Sequence, residues 1–151
     1  MRFAIPATLV LLTLTALPVC ASNLENKIPD EQSIDALAAK AKDAQPREQC
    51  FLYAELVHQM TELSLRQYAA GDVEKAAQLL KQIQGLTRKI HLAVAGKDKK
   101  MKDAEILLRR AAFRLTGMLH SASFDDQALV ADTLADVNRV QTEAMMQVFR
   151  K

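Results

Sequence analysis

Hydrophobic residues after position 45 recur at steps of three and four, the spacing that places them on one face of an α-helix. Four long stretches carry this pattern, at about 46–70, 73–95, 98–121 and from about 126 to the C-terminus. In the first of them Tyr53, Leu56, Met60 and Leu63 form the stripe. The pattern predicts four helices, each about 33 to 39 Å long at a rise of about 1.5 Å per residue.

Turn-forming residues separate the predicted helices. Gln45-Pro46 should end a short helix at about 30–43, because the residue before proline avoids the α region and proline suits a first helical turn. Gly71-Asp72 should close the first long helix with a left-handed glycine and cap the second through the aspartate. Gly96 and Asp98 are predicted to do the same for the next pair of helices, and residues 121–125 to form the last turn.

Short connections between helices of similar length favour antiparallel neighbours. The sequence therefore predicts an all-α fold, an up-down-up-down bundle of four long helices at 46–151 with a short preceding helix. Residues 22–45 are expected to be a flexible N-terminal segment that contains the short helix.

A helical repeat array is the main alternative architecture. The turn between the first two long helices resembles the central turn of a tetratricopeptide repeat, at Tyr68, Gly71, Asp72, Lys75, Ala76 and Leu79. No second copy follows at a spacing of about 34 residues, and the helices are too long for that repeat. A tetratricopeptide-like adaptor therefore stays a secondary hypothesis.

The first 21 residues have the composition of a secretory signal peptide. Arg2 supplies a positive start, residues 4–19 are uncharged and largely apolar, and small residues precede an expected cleavage after Ala21. The apolar run is shorter than the about 20 residues that span a bilayer, so no transmembrane anchor is predicted for the mature chain. The predicted location is periplasmic or secreted. Because 17–20 loosely resembles a lipoprotein box, a lipid anchor through Cys20 is the alternative.

Charge and cysteine content narrow the classes of partner. The chain has 20 Lys and Arg against 18 Asp and Glu, a net charge of +2 that does not indicate a nucleic-acid partner. Cleavage after Ala21 would leave Cys50 as the one thiol, which excludes an intramolecular disulfide. Cys50 is then either a buried thiol or the site of an intermolecular disulfide in a homodimer.

The histidines do not form a recognisable metal site in the sequence. Only His58 follows a glutamate by three residues, at Glu55, and the predicted heights of His58, His91 and His120 along the helices differ too much for one ion. No nucleophile elbow, phosphate-binding loop or haem-attachment motif is present. The sequence predicts a chain that is not an enzyme and carries no cofactor. A metal- or cofactor-binding bundle is the alternative, because bundle cores host such groups.

One segment of the chain is strongly basic. Residues 88–114 contain nine Lys or Arg against three acidic residues. Four of the lysines, Lys97, Lys99, Lys100 and Lys102, crowd the start of the third long helix, where the helix dipole disfavours positive charge. They are predicted to form an anion-binding tip for lipid headgroups or an acidic partner. The alternative is a solvated turn with salt bridges to the last helix.

Residues 45–56, QPREQCFLYAEL, together with 69–72 and the three helices that follow, resemble a group of short exported all-helical bacterial proteins. The resemblance implies export and an all-helical domain, and it assigns no activity and no site residues. The function expected from the sequence is therefore contact with an unknown protein partner or with the cell-envelope surface, without catalysis.

Overall fold

The computed structural model of this protein describes residues 29–96 and 98–150. The predicted signal peptide, residues 22–28, Lys97 and Lys151 lie outside the described residues. Within the described part the chain forms α-helices and one short 3-10 turn, with no strand. The helices are α1 (Glu31–Asp43), α2 (Pro46–Ala69), α3 (Val73–Ala93), α4 (Met101–Ser121) and α5 (Phe124–Phe149). The prediction of an all-α fold is confirmed.

Local side-chain chemistry sets the first helix boundaries. Asp30 caps α1, accepting a hydrogen bond from the Ser33 backbone N–H while the Ser33 hydroxyl accepts one from the Asp30 N–H. α2 begins at Pro46, as predicted. After α2, Gly71 adopts a φ of 88°, the left-handed conformation predicted for a helix-closing glycine.

The turn between α3 and α4 differs from the prediction. Gly96 does not adopt a positive φ; it ends a 3-10 turn, Val94–Gly96, close to the Pro46 carbonyl. Asp98 does not occupy the N-cap of α4, which is Lys100. The Asp98 carboxylate is buried and accepts hydrogen bonds from the backbone N–H groups of Phe51 at 3.0 Å and Lys100 at 2.7 Å. Asp98 therefore ties this turn to α2. Asp72, also predicted as a cap, makes no side-chain capping bond.

The helices pack as two hairpins, α2 with α3 and α4 with α5. Extensive contacts also join α2 to α4 and α3 to α5, and α1 lies against α2. Cys50 Sγ and Met101 Sδ are 3.8 Å apart, so α2 and α4 begin side by side. At the other end the Tyr68 hydroxyl bonds to the Asp126 carboxylate at 3.1 Å, which joins the end of α2 to the start of α5.

Consecutive helices are not always neighbours in this packing. Among the described residues, α3 and α4 are not one of the extensively packed pairs, although only a few residues separate them. The turn at 94–100 therefore carries the chain diagonally from one hairpin to the other, and α2 and α4 become neighbours that run in the same direction.

The core consists of aliphatic side chains from all four long helices. Its largest fully buried members include Leu56, Ile83, Leu108 and Val137. The buried hydroxyls of Thr61, Thr87 and Thr133 each donate to a backbone carbonyl of their own helix. These three hydroxyl groups are thereby satisfied within their own helices.

No described helix combines the length and the hydrophobicity needed to cross a membrane.

Candidate binding groove

A groove runs along the surface between α2 and α4, and the start of α1 forms its outer wall. Its two larger parts have volumes of about 910 and 720 Å³ and share Leu65, Ala69 and Arg114 as lining residues. The charged and aromatic side chains of the groove are His58, Glu62, Arg66, Tyr68, Arg109, Arg110, Phe113, Arg114 and His120. We refer to this surface as the arginine groove.

The arginines of the groove differ in how they are paired. Arg114 binds Glu62 through Nε at 2.8 Å and Nη2 at 3.0 Å, a two-pronged contact that joins α4 to α2. Arg109 lies 3.6 Å from Glu105 on its own helix. Arg66 donates to the Pro29 backbone carbonyl, and within the described residues neither Arg66 nor Arg110 has a carboxylate partner.

The groove is consequently positive. Its section beside α1 holds three guanidinium groups, from Arg66, Arg110 and Arg114, against one carboxylate, from Glu62. Concave surfaces with an excess of one charge concentrate ions of the opposite sign. This section is therefore suited to a carboxylate or phosphate group.

His58 contributes a neutral ring to the same section. The side chain is half-buried, and its Nδ1 is buried without a hydrogen-bond partner among the described residues. Burial lowers the pKa of His58 from its ordinary value of 6.5; Arg110 and Arg114 act in the same direction, while Glu62 opposes them. The lowered pKa favours the uncharged ring at neutral pH.

Three aliphatic hydroxyl groups of the groove donate hydrogen bonds to backbone carbonyls. The hydroxyls of Ser33, Thr116 and Ser121 donate to carbonyls of Asp30, Ala112 and Met118, at 2.9, 2.9 and 3.1 Å. A nucleophile needs a base within hydrogen-bond reach. Among the described residues, none of these three hydroxyls has a histidine side chain as its hydrogen-bond partner.

The lysine tip lies at the opposite end of α4 from the groove. Lys99, Lys100 and Lys102 are exposed, and the Lys100 ammonium lies 4.5 Å from the centre of the Phe51 ring. Across the described residues, none of the ion pairs includes these three lysines, so the salt bridges of the alternative interpretation are not found there.

The anion-binding role of Lys97, Lys99, Lys100 and Lys102 stays a prediction, and Lys97 lies outside the described residues. It is tested by flotation with vesicles of anionic lipid. If the tip binds lipid headgroups, a Lys99→Glu/Lys100→Glu/Lys102→Glu variant should lose binding that the unmodified chain shows.

Cys50 is fully buried, in agreement with the first of the two predictions made for it, a buried thiol. Burial, with a smaller contribution from the Asp98 carboxylate, raises the pKa of the thiol to about 12. The thiol is therefore protonated and unreactive in the folded chain. An intermolecular disulfide through Cys50 stays a prediction, and it would require α2 to open locally.

His91 lies away from the groove, whereas His120 lines its 720 Å³ part. His91 Nδ1 lies 2.8 Å from the Glu143 carboxylate, and His120 Nδ1 lies 2.7 Å from the Thr116 carbonyl of its own helix. Over residues 29–96 and 98–150, no group of three or more His, Cys, Asp or Glu side chains is arranged to hold a metal ion.

Sequence reasoning missed the arginine groove. The basic count over 88–114 included Arg109, Arg110 and Arg114, but His58, Glu62 and Arg66 lie about 50 residues earlier. The signal would have been arginine and histidine on helix faces that point away from the core, combined with knowledge that α2 and α4 are neighbours. Chain order does not provide that knowledge.

Comparisons with protein-family models, with curated proteins and with solved structures found no match to this chain.

Proposed function

We propose that this chain is an exported, non-catalytic helical protein that binds an acidic segment of a partner protein in the arginine groove. The observation that carries the proposal is the pair Arg66 and Arg110, two guanidinium groups in one concave surface without a carboxylate partner among the described residues. A carboxylate from a partner would supply the missing counter-charge.

The dimensions of the groove favour a short peptide segment. Its lining runs from His58 to Ala69 on α2, about 17 Å at a rise of about 1.5 Å per residue. An extended chain covers that length with about five residues at about 3.3 Å each. Phe113, which is 76% exposed at the edge of the groove, adds an aromatic contact. Arginine and aromatic side chains are enriched where binding energy concentrates in protein interfaces.

The arrangement of helices that we propose is an up-down-up-down bundle of four long helices with a short preceding helix. The tight turns after α2 and α4 and the contacts at both ends of the helices support it. The tetratricopeptide-like adaptor stays the alternative, because α2 and α4, the first helices of the two hairpins, both line the groove. The hairpins start at 46 and 101, a spacing of 55 residues, which exceeds the repeat length of about 34.

The remaining parts of the proposal rest on the sequence. The leader-like first 21 residues support a periplasmic or secreted location, with the lipid anchor at Cys20 as the alternative. A metal- or cofactor-binding bundle is the second class of function. Stoichiometric metal in elemental analysis of the purified chain would favour that class over peptide binding.

The groove is tested with a fluorescent oligoglutamate peptide of about eight residues, measured by anisotropy at low ionic strength. Arg110→Glu reverses one charge in the groove and should weaken binding about tenfold or more, equivalent to about 1.4 kcal/mol. Arg88→Glu makes the same charge change on the exposed face of α3 and should leave binding within about twofold.

Two further results bear on the groove. Binding should weaken as salt is raised, because partly exposed charge pairs are screened. A Lys99→Glu/Lys102→Glu variant should behave like the Arg88 control if the peptide occupies the groove. Equal losses in the Arg88 and Arg110 variants would mean that only net charge attracts the peptide, and the proposal would then be abandoned.

A further inference from the structure

The exposed side of α5 carries a second helical repeat, separate from the one that faces the core. The core side holds Val130, Val137 and Ala144, all fully buried. The outer repeat advances by alternating steps of four and three, the spacing of a coiled-coil seam. Its members, here called the outer seam, are Phe124, Ala128, Ala131, Ala135, Asn138, Thr142, Met145 and Phe149.

The outer seam is uncharged over the whole helix. Every Asp, Glu and Arg of α5 lies at other positions, and the two ends of the seam are strongly exposed, with Phe124 at 89% and Phe149 at 76%. Each end of the seam therefore presents a large apolar side chain to solvent. Because acidic Asp125 and Asp132 flank the seam, a membrane of anionic lipid is disfavoured as the occupant.

We propose that the outer seam binds the outer seam of a second copy of this chain, with the two α5 helices antiparallel. In an antiparallel pair, a seam residue that follows a step of four lies opposite a seam residue that follows a step of three. When the two helices cross at a point between residues 136 and 137, Ala128 lies opposite Met145 of the second copy. Ala131 then lies opposite Thr142 of the second copy. Met145, the one large side chain of these pairs, thus meets an alanine, and the alanines let the helices approach closely.

In the same register the middle of the seam pairs a small side chain with a polar one, and each end pairs two phenylalanines. Ala135 lies opposite Asn138 of the second copy, and Phe124 lies opposite Phe149 of the second copy. Parallel pairing would instead set each residue against itself, Met145 on Met145 and Ala128 on Ala128. Size complementarity therefore favours the antiparallel orientation.

Charge favours the antiparallel orientation as well. Asp132 and Arg139 are seven residues apart and occupy the same position beside the seam. Antiparallel pairing therefore places Arg139 opposite Asp132 of the second copy, and the two-fold symmetry of the dimer forms this contact twice. Arg139 is 46% exposed and pairs with Asp136 at 3.1 Å and with Glu143 at 3.9 Å on its own helix. Asp132 has no ion pair within the described residues, so Arg139 of the second copy would be its counter-charge. In a parallel pair, Asp132 and Arg139 would instead face the flanking position on the other side of the seam. That position holds Gln127, Leu134 and Gln141, which carry no charge.

The size of the surface indicates a reversible dimer. α5 has 26 residues and is about 39 Å long, and one face of one helix is small beside permanent interfaces. We expect a dissociation constant in the micromolar range. The dimer surface and the arginine groove lie on different helices, so the two proposals are tested independently.

Sedimentation equilibrium of the purified full chain from ~1 to ~500 µM tests the dimer. The chain should pass from monomer to dimer over this range. Ala135→Glu places a carboxylate in the middle of the seam and should weaken the dimer at least tenfold. Ala39→Glu makes the same change on the exposed surface of α1 and should leave the dimer unaffected. Circular dichroism confirms that both variants remain helical.

Charge exchange tests the orientation. Asp132→Arg and Arg139→Asp, each alone, place like charges together and should each weaken the dimer several-fold. The double exchange restores opposite charges across an antiparallel interface and should recover most of the affinity. A monomer at every concentration, a dimer indifferent to Ala135→Glu, or a double exchange no better than the single ones would each overturn the proposal.

Discussion

At the scale of single residues, Cys50 has no exposed surface, and its Sγ lies 3.8 Å from Met101 Sδ. Burial first, and the nearby Asp98 carboxylate second, raise the pKa of its thiol to about 12. Because the thiolate is the reactive form, we expect Cys50 in the folded chain to react with a thiol reagent at pH 8 at least ~100-fold more slowly than in urea. A Cys50→Ala variant separates this signal from that of Cys20. Rapid modification of Cys50 without denaturant would contradict the buried position.

His58 should make stability depend on pH below neutrality. Burial lowers its pKa in the folded chain below 6.5, so the unfolded chain binds more protons as the pH falls through 6.5. The contribution of His58 to stability is therefore present above about pH 6.5 and is lost as the pH falls toward the lowered pKa. Urea unfolding at pH 7.5 and 5.5 should show a larger loss for the unmodified chain than for His58→Gln, in which His91 and His120 remain. Equal losses would show that His58 is not desolvated.

At the scale of the helix, the two glycines of the first hairpin should respond in opposite ways to alanine. Gly71 has a φ of 88°, so Gly71→Ala forces a side chain into the left-handed region at a cost of about 1 to 2 kcal/mol. Gly85 is within α3, and a Cβ there would meet no atom within 4 Å, so Gly85→Ala should stabilise the chain by about 0.5 to 1 kcal/mol. Thermal unfolding of both variants measures the difference. A stabilising Gly71→Ala would mean that the turn after α2 is not left-handed.

Helix boundaries show where local sequence reasoning succeeds at this scale. Pro46 and Gly71 act as predicted because their backbone preferences do not depend on distant residues. Gly96 and Asp98 do not, because the turn they occupy lies against the start of α2. There the N–H of Phe51 offers Asp98 a partner that is 47 residues away in the chain. A tertiary hydrogen bond thus replaces the predicted cap.

At the scale of the whole molecule, the proposed export predicts the length of the mature chain. If the leader is cleaved after Ala21, intact-mass analysis of protein from the native host's envelope or medium should give a chain that begins at Ser22. A lipid-modified Cys20 would favour the anchored alternative, and a full-length chain inside the cell would contradict export. Substitution of Arg2 and the apolar run should retain the protein in the cytoplasm, whereas Lys27→Gln, outside the leader, should not.

The spacing of apolar residues was sufficient to predict the all-α fold and the approximate helices, because helix periodicity and turn preferences act over a few residues. The outer seam of α5 is also a local pattern, but α5 carries two such repeats. Only the burial of Val130 and Val137, and the exposure of Phe124, decide which one faces solvent.

Tertiary structure alone decided which helices are neighbours. The diagonal turn at 94–100 sets α4 beside α2, and the contact of Glu62 with Arg114 therefore joins residues 52 positions apart. The arginine groove, the lowered pKa of His58 and the burial of Cys50 all follow from that packing. Side-chain desolvation and charge proximity depend on distances in space, and the local pattern of a helix does not contain them.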